Sequence, residues 1–328
     1  MGAFARVSTF MSCVVAIGNF DGFHRGHQAL ITVAKTQAAR LGVACGILTF
    51  EPHPRQFFKP GEPVFRLTSP AMKERLAKAL GLDFVKALDF NADFAALSAE
   101  EFMAREIVAG LSAAHVVTGY DFHFGKGRTG NPNMLRATGA RCGFGVSIVD
   151  PVTDEMGVAA FSSSAIRQAL QQGEVREAAR QLGYWWRVSG EVVKGDQRGR
   201  TIGFPTANLM LDPGMQAREG IYATRVRVGG DGPFLKGAAY IGKRPTFDTD
   251  RRFLEIYLIG FSGDLYGQKI DVEFVDFIRP DQKFEGLDAL IGQMNADCAV
   301  ISQKLDALAV DDPMRAFALG KLAAEGRV

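Results

Sequence analysis

The chain has 328 residues, of which 47% are hydrophobic and 23% charged, and its 38 basic and 36 acidic residues leave a formal charge of +2. The length predicts two domains, and the balanced charge argues against a nucleic-acid partner. No run approaches the roughly 20 apolar residues of a membrane span, and residues 1–12 lack the apolar core of a signal peptide. The four cysteines form no C-x-x-C pair, which argues against a zinc or disulfide framework and favours a cytoplasmic protein.

The first half alternates strand-like and helix-like segments. A buried strand at Cys13–Ile17 leads into the turn 18–27, and a helix is expected from 28 to 41. The further expected strands are 43–50, 83–88, 115–118 and 145–149, and the further helices are 69–80 and 98–109, each with a serine cap. Such alternation predicts a doubly wound parallel sheet, with ligands beyond the carboxyl ends of its strands.

The turn 18–27, GNFDGFHRGH, joins the first strand to a helix and carries an acid and two histidines. Free N–H groups and the positive dipole end of a helix suit a phosphate, so the turn predicts a nucleotide-phosphate site at His24 and His27. The alternatives are a surface turn with two solvated histidines, or a metal site, for which no third ligand is placed by spacing.

Two other segments of this half invite a functional interpretation. Ser162, Ser163 and Ser164 open a helix with Arg167 one turn in, which suits either an anion or an ordinary serine cap. The loop 125–130 matches G-x-G-x-x-G but stands apart from a strand, so a basic loop over a substrate is the better interpretation. Phe122 and Phe124 beside it would pack on a ligand ring or fill the core.

After residue 184 helical periodicity stops, and strand-like runs separated by Gly-rich turns predict an antiparallel barrel or sandwich, closed by a helix from 287 to 308. We therefore place domains at 1–184 and 185–310, followed by a tail, 311–328. In the basic loop and strand 190–209, Thr206 and Asn208 share one face and offer oxygen ligands that suit Mg²⁺; the alternative is a basic hairpin. Glu255 lies on a mostly apolar strand face and is either a general base or a solvated edge residue.

At this point the residues resemble a known family. The run 18–27 resembles the H-x-G-H motif of the nucleotidyltransferase superfamily, and more narrowly the G-x-F-D-G-x-H-x-G-H form of bacterial bifunctional riboflavin kinase/FAD synthetases. Segments 48–54 (LTFEPHP), 119–125 (GYDFHFG) and 161–167 (FSSSAIR) resemble later motifs of the family in order. The family's usual Ile and Thr are here Phe161 and Ser164.

The second half resembles the riboflavin kinase module of the same family. The motif G-R-x-x-G-x-P-T-A-N-L at 199–209 is followed in order by similar segments at 220–223, 241–247, 265–267 and 278–284. Tyr240 and Tyr257 stand where the family usually has Asn and His. We expect these departures to change flavin affinity or loop closure and not to touch the base or the magnesium ligands.

The resemblance implies a doubly wound adenylyltransferase domain and a riboflavin kinase barrel, with riboflavin, FMN and ATP as partners, Mg²⁺ as cofactor, FMN and FAD as products, and no nucleic acid or membrane. In the first domain it implies an ATP site formed by Gly18, Phe20, Asp21, Gly22, His24, His27, Ser162, Ser163, Ser164 and Arg167. It implies an FMN site formed by His53, Asp121, Phe122, Phe124 and Arg128. In the second domain it implies Glu255 as base, Mg²⁺ on Thr206 and Asn208, and ATP on these two with Lys194, Gly195, Arg200 and Gly203.

The sequence is also compatible with two rival functions. The H-x-G-H turn alone also fits an adenylyltransferase for pantetheine phosphate or a nicotinamide nucleotide, although the second half does not. A non-catalytic flavin-binding regulator would keep the fold, but the intact histidines, Thr206, Asn208 and Glu255 argue against it.

Overall fold

The computed structural model describes residues 12–154, 157, 159–195, 198–230, 232–243 and 252–328, with Arg198 described by its backbone alone. Asp196, Gln197 and residues 244–247 of the predicted segment 241–247 lie outside the described residues. The chain divides into two compact units. One comprises Met1–Val64 with Ser69–Ser162, and the other Phe65–Thr68 with Ser163–Val328.

The first unit is built on a five-stranded sheet in which every described pair is parallel. Its strands are β1 Cys13–Ile17, β2 Ala44–Glu51, β3 Phe84–Asp89, β4 Ala113–Gly119 and β5 Gly145–Val149, in the order β3-β2-β1-β4-β5. All five residues of β1 are buried, as expected for a central parallel strand covered on both faces. The predicted parallel sheet is confirmed, with β1 and β5 at the predicted residues.

The α-helices of the first unit each begin after a histidine, serine or asparagine whose side chain caps the helix. Their bounds are Arg25–Leu41, Pro54–Phe58, Pro70–Ala79, Ala92–Ala95, Ala99–Phe102, which continues as a π-helix at Met103–Ala109, and Pro132–Cys142, with a 3₁₀ turn at Lys126–Arg128. The first helix begins at Arg25, three residues before the predicted start, because the side chain of His24 caps it. The helix Pro132–Cys142 was not predicted; Asn131 caps it and a proline occupies its first turn.

The second unit holds a six-stranded antiparallel sheet. Its strands are β6 Arg187–Glu191, β7 Thr206–Met210, β8 Gly220–Val228, β9 Leu235–Lys243, β10 Arg252–Leu258 and β11 Lys269–Arg279, in the order β6-β11-β8-β9-β10-β7. A bridge between Val193 and Asn208 joins the segment after β6 to β7, so the sheet nearly closes. The structure is therefore the barrel and not the sandwich.

The second unit also contains five α-helices in its described residues. They are Ser163–Gln172, Val175–Leu182, Arg198–Thr201, Leu287–Val310 and Ala318–Ala324, with a 3₁₀ turn at Pro313–Ala316. The tail, for which the sequence suggested no role, is anchored to the unit by Asp312, which accepts hydrogen bonds from Trp185 and Arg225 at 3.0 and 2.8 Å. None of the helices in the described residues combines the length and the apolar character of a membrane span.

Candidate active sites

The turn 18–27 leaves the carboxyl end of β1, the strand whose neighbours β2 and β4 lie on opposite sides. Ligands of open parallel sheets bind at such a position, where the chain direction across the sheet reverses. The N–H of Gly18 donates to the carbonyl of Leu48 on β2 at 3.1 Å, so the turn begins in register with the sheet. This geometry agrees with the predicted location of a site.

Backbone strain is concentrated in this turn. Phe20 and Phe23 have φ angles of 48° and 44°, and Gly22 lies between them at 89°. Residues other than glycine rarely adopt positive φ angles. Such backbone conformations persist when the surrounding packing enforces them. Both phenylalanine rings are fully buried, and Asp21 is 3% exposed. Phe20 therefore shapes the turn from beneath, and its ring is not itself open to a ligand.

His24 and His27 form a stacked pair at the start of the helix Arg25–Leu41. Their ring centroids lie 3.7 Å apart with 28° between the planes. His24 is the N-cap residue, and its Nδ1 accepts the N–H of His27 at 3.4 Å. Phe20 supports the second ring at 5.1 Å. The sequence thus folds so that two imidazoles and the free N–H groups of a helix start share one location.

The electrostatics of His27 favour its neutral form. Burial lowers its pKa well below the ordinary value, and the positive charges of His24 and Lys73 lower it further. Its Nδ1 is buried without a hydrogen-bond partner among the described residues. At neutral pH this ring is therefore a hydrogen-bonding group and not a fixed cation.

Lys73, which the sequence analysis did not single out, is buried beside this turn. Its ammonium group donates to Glu51 at 2.9 Å and to Thr49 at 3.1 Å. Helical periodicity could have indicated its burial, because it lies on the face of Pro70–Ala79 that also carries Leu76 and Ala77.

The serine segment is divided between the two units: Ser162 belongs to the first and the helix Ser163–Gln172 to the second. Phe161, directly before Ser162, packs its ring 4.4 Å from the guanidinium of Arg25 at the start of the histidine-bearing helix. Ser163 and Ser164 begin their helix as predicted, and the Nε of Arg167 donates to the carbonyl of Phe65 at 2.6 Å.

The predicted FMN residues differ in exposure. His53 caps the helix Pro54–Phe58 by accepting the N–H of Arg55 at 3.2 Å. Asp121 and Arg128 are exposed. Phe124 is 6% exposed and packs on Phe102, so it fills the core, which was the alternative for this ring. Phe122, partly buried and stacked on Phe124 at 5.4 Å, is the ring that keeps an accessible part.

An aromatic patch near His53 was missed by the sequence analysis. Phe58 is 65% exposed, although large apolar side chains are usually covered. Its ring meets those of Phe57 and Phe90 at 5.2 and 5.7 Å. The signal that could have indicated it is the pair of adjacent phenylalanines on a short helix directly after the Pro-His-Pro run.

In the second unit, strand register brings the predicted kinase residues together. Asn208 on β7 lies directly opposite Glu255 on β10. Directly opposite residues of an antiparallel pair have Cβ atoms roughly 5 Å apart. Thr206 and Asn208 share a face, with the Asn208 amide 3.5 Å from the Thr206 hydroxyl. Glu255 is partly buried, whereas its neighbours Leu254 and Ile256 are fully buried on the other face, as the alternation predicts.

A pocket of about 300 Å³ opens at Thr206 and Asn208, and Glu255 is not among the residues that line it. It is lined by Val192, Gly195, Arg200, Pro205, Thr206, Ala207, Asn208, Ile256, Leu258, Phe261, Ser262, Gly263, Asp264, Leu265 and Tyr266. Four predicted ATP residues are among them, whereas Lys194 and Gly203 are not. The ring of Tyr266 lies 6.0 Å from the Lys194 ammonium and 5.9 Å from the Arg200 guanidinium, at the outer limit of a cation–π contact.

The donor set of this pocket fits Mg²⁺ bound together with phosphates. A side chain in place of Gly195 would collide with the Asn208 amide, so the glycine leaves room beside the two ligand candidates. Within the described ranges, no cluster of three or more His, Cys, Asp or Glu side chains could hold a metal. A magnesium ion here would therefore depend on Thr206, Asn208 and the oxygens of its nucleotide.

Tyr240 and Tyr257 lie closer to the kinase residues than the sequence indicated. Tyr240 is the direct partner of Glu255, and Tyr257 is the direct partner of Thr206. The hydroxyl of Tyr240 donates to Asp281 at 3.0 Å. The expectation that the two departures do not touch the base or the magnesium ligands was wrong, because register across a sheet cannot be read from linear spacing.

Comparison with known proteins identifies a module in each half of the chain. Residues 7–165 match the family model of FAD synthetase, and residues 182–305 match that of riboflavin kinase. A solved structure described as a macrolide-efflux protein from Streptococcus pneumoniae has a TM-score of 0.79 and 36% identity, covering 89% of this chain and 94% of that one.

Curated relatives match over most of the chain. The bifunctional riboflavin kinase/FMN adenylyltransferase of Pseudomonas fluorescens is 40% identical over 288 residues, which cover 88% of this chain and 91% of that protein. The protein of the same name from Escherichia coli K12 is 38% identical over 285 residues, covering 87% and 90%. The chain therefore belongs to the family of bifunctional riboflavin kinase/FMN adenylyltransferases, with the FAD synthetase module in its first half and the riboflavin kinase module in its second.

Proposed function

We propose that this chain makes FAD from riboflavin in two steps, each at its own site. The observation that carries the proposal is the distribution of the chemistry: the stacked histidines belong to the first unit, and the Glu255–Asn208 pair belongs to the second. All five histidines of the chain occur in its first 123 residues, so proton transfer in the barrel rests on other groups.

In the kinase step, Glu255 accepts the proton of the riboflavin 5′-hydroxyl as that oxygen attacks the γ-phosphorus of ATP and ADP leaves. Thr206 and Asn208 would hold Mg²⁺, which supplies positive charge to the nucleotide phosphates. Lys194, Gly195, Arg200 and Gly203 belong to the loop that binds those phosphates. A base, magnesium ligands and a phosphate-binding loop in one domain are the groups needed for catalysis by positioning and charge neutralisation.

In the adenylylation step, an oxygen of the FMN phosphate attacks the α-phosphorus of a second ATP, and pyrophosphate leaves. Gly18, Asp21, Gly22, His24 and His27 bind ATP, with Phe20 shaping the turn. Ser162, the last residue of the first unit, would contribute to the same nucleotide, whereas a nucleotide-binding role for Ser163, Ser164 and Arg167 of the second unit stays a prediction. His53, Asp121, Phe122 and Arg128 bind FMN, and Phe124 supports Phe122 from the core. The phosphate is already a nucleophile, so this step needs no strong base.

The test is a pair of variants in the full chain, supplied with riboflavin, ATP and Mg²⁺ and assayed by chromatography for FMN and FAD. His27→Ala should reduce FAD formation by about a hundredfold or more and leave FMN formation within about twofold. Glu255→Ala should abolish FMN formation and leave the conversion of added FMN to FAD intact. Glu191→Ala, an exposed carboxylate on β6, is the matched control. Equal loss of both activities in either site variant would contradict two separate sites.

A further inference from the structure

Lys73 is a buried cation without a role in the assignments above. The residue is 5% exposed, on the buried face of the helix Pro70–Ala79 with Met72 and Leu76. Lysine is almost never buried without a partner. Here its ammonium pairs with Glu51 and bonds to Thr49, both on β2.

Thr49 connects this ammonium to the histidine turn. Its hydroxyl is fully buried, accepts from Lys73, and donates to the backbone carbonyl of Asn19 at 3.0 Å. Asn19 is the second residue of the turn. The three groups therefore form a continuous chain from the helix, through β2, to the loop that carries His24 and His27.

The charge of Lys73 acts on His27 in the 18–27 turn. Its positive charge is one of the causes that lower the pKa of His27, after burial and His24. The Glu51 side chain keeps 23% of its surface exposed, against 6% for Lys73, so water screens the carboxylate more than the ammonium. A buried ion pair contributes little net stability compared with a well-packed apolar side chain. Packing alone therefore does not explain a lysine at this position.

We propose that Lys73 is a positioning residue of the adenylylation reaction: it holds the 18–27 turn through Thr49 and places a buried positive charge behind the phosphates of ATP. The inference rests on the proposed function of this turn. As the FMN phosphate oxygen bonds to the α-phosphorus, the bond from that phosphorus to the bridging oxygen of the β-phosphate breaks, and pyrophosphate takes the electron pair. A fixed cation stabilises the charge that develops on this leaving group.

The test compares two variants. Lys73→Met keeps a long unbranched side chain and removes the charge, and Lys78→Met does the same at an exposed position of the same helix. In the full chain, Lys73→Met should lower kcat for adenylylation by roughly tenfold to a hundredfold, with a smaller change in KM for ATP. FMN formation by the second unit of the same molecule should stay unchanged, and circular dichroism with thermal denaturation of the full chain controls for folding of the first unit. Lys78→Met should retain both activities. An adenylylation kcat for Lys73→Met within about twofold of wild type would overturn the proposal.

Two further readouts separate a positioning role from a structural one. Lys73→Arg keeps the charge and should restore most of the rate that Lys73→Met loses. Histidine ring resonances followed by NMR should show a raised pKa for His27 in Lys73→Met and no change in Lys78→Met. An unchanged pKa of His27 in Lys73→Met would contradict the buried charge.

If Lys73→Met does not fold, the variants Thr49→Val and Thr49→Ser test the same proposal. Valine removes the hydroxyl that links Lys73 to Asn19, whereas serine keeps it. Slower adenylylation with valine alone supports the proposal, and equal rates overturn it. A wild-type rate in His27→Ala would instead contradict the proposed function of the turn, so the two failures are distinguishable.

Discussion

At the scale of single residues, the stacked histidines limit the charge that this site can carry. Two imidazoles 3.7 Å apart repel when both are protonated, and burial adds to the cost for His27. A neutral His27 interacts with phosphate through a hydrogen bond. Positive charge at the site then comes from other sources, among which are the helix start and Lys73.

The lowered pKa of His27 predicts a loss of stability in mild acid. Below pH ~6.5 the unfolded chain protonates this histidine, whereas the folded chain does not, so acid favours unfolding until the folded pKa is reached. The free energy of unfolding should therefore fall as the pH decreases below ~6.5. In His27→Asn, the fall between pH 7.0 and 5.5 should be smaller by roughly 1 kcal/mol.

Urea unfolding of the full chain, followed by circular dichroism at both pH values, measures this difference. Burial also lowers the pKa of His115, so some pH dependence should remain in the variant. The same pH dependence in wild type and His27→Asn would contradict a depressed pKa for His27.

At the scale of elements, a buried charge cluster ties three strands of the barrel together. Glu273 on β11 is fully buried and is the register partner of Arg187 on β6 and of Arg225 on β8. Both arginines form ion pairs with it. Burial by itself lowers the pKa of Arg187, but the charges of Glu273 and Asp271 outweigh this and raise it.

Removing the carboxylate from this cluster should destabilise the barrel strongly. Glu273→Gln leaves two arginines without the charge between them, and breaking a buried pair costs about 3 to 5 kcal/mol. Thermal and urea denaturation of the full chain measure the loss. Asp306→Asn, which breaks an exposed pair with Lys236, should cost less than about 1 kcal/mol. Similar losses in the two variants would contradict a structural role specific to the buried cluster.

At the scale of the whole molecule, packing divides the chain earlier than the motifs do. The compact units divide at 162/163, whereas the riboflavin kinase model begins at 182 and the sequence analysis placed its boundary near 184. Within the second unit, Ala179 shares a core with Trp185, and Arg176 pairs with Asp276 at 3.1 Å. The boundary near 184 stays a prediction about functional modules.

This division predicts that the length of a C-terminal fragment sets its stability. The fragment Ser163–Val328 should melt several degrees above the fragment 183–328. The shorter fragment lacks the helices Ser163–Gln172 and Val175–Leu182 and exposes the surface that they cover. Differential scanning calorimetry of the two fragments measures the melting temperatures. Equal temperatures would show that the helices add nothing to the barrel and would favour the boundary near 184.

Local signals account for what could be predicted. Cys13–Ile17 is a contiguous apolar run bounded by a glycine, and Ser98 with Glu101 forms the predicted capping box. The residues of the two sites were found because each motif is short in sequence and carries its own chemistry. The helix Pro132–Cys142 was missed although Asn131 and a proline mark its start, because two of its buried positions are Thr138 and Gly139, which add nothing to an apolar pattern.

The sequence by itself determined the two modules, their order, and the side chains that carry their chemistry, because these depend on residue type and on spacing over a few positions. Only the tertiary structure decided that Glu255 faces Asn208, that Tyr240 and Tyr257 flank them, and that Lys73 is buried against β2. Register and burial depend on segments distant in sequence, and neighbouring positions along the chain do not encode which partner each side chain meets.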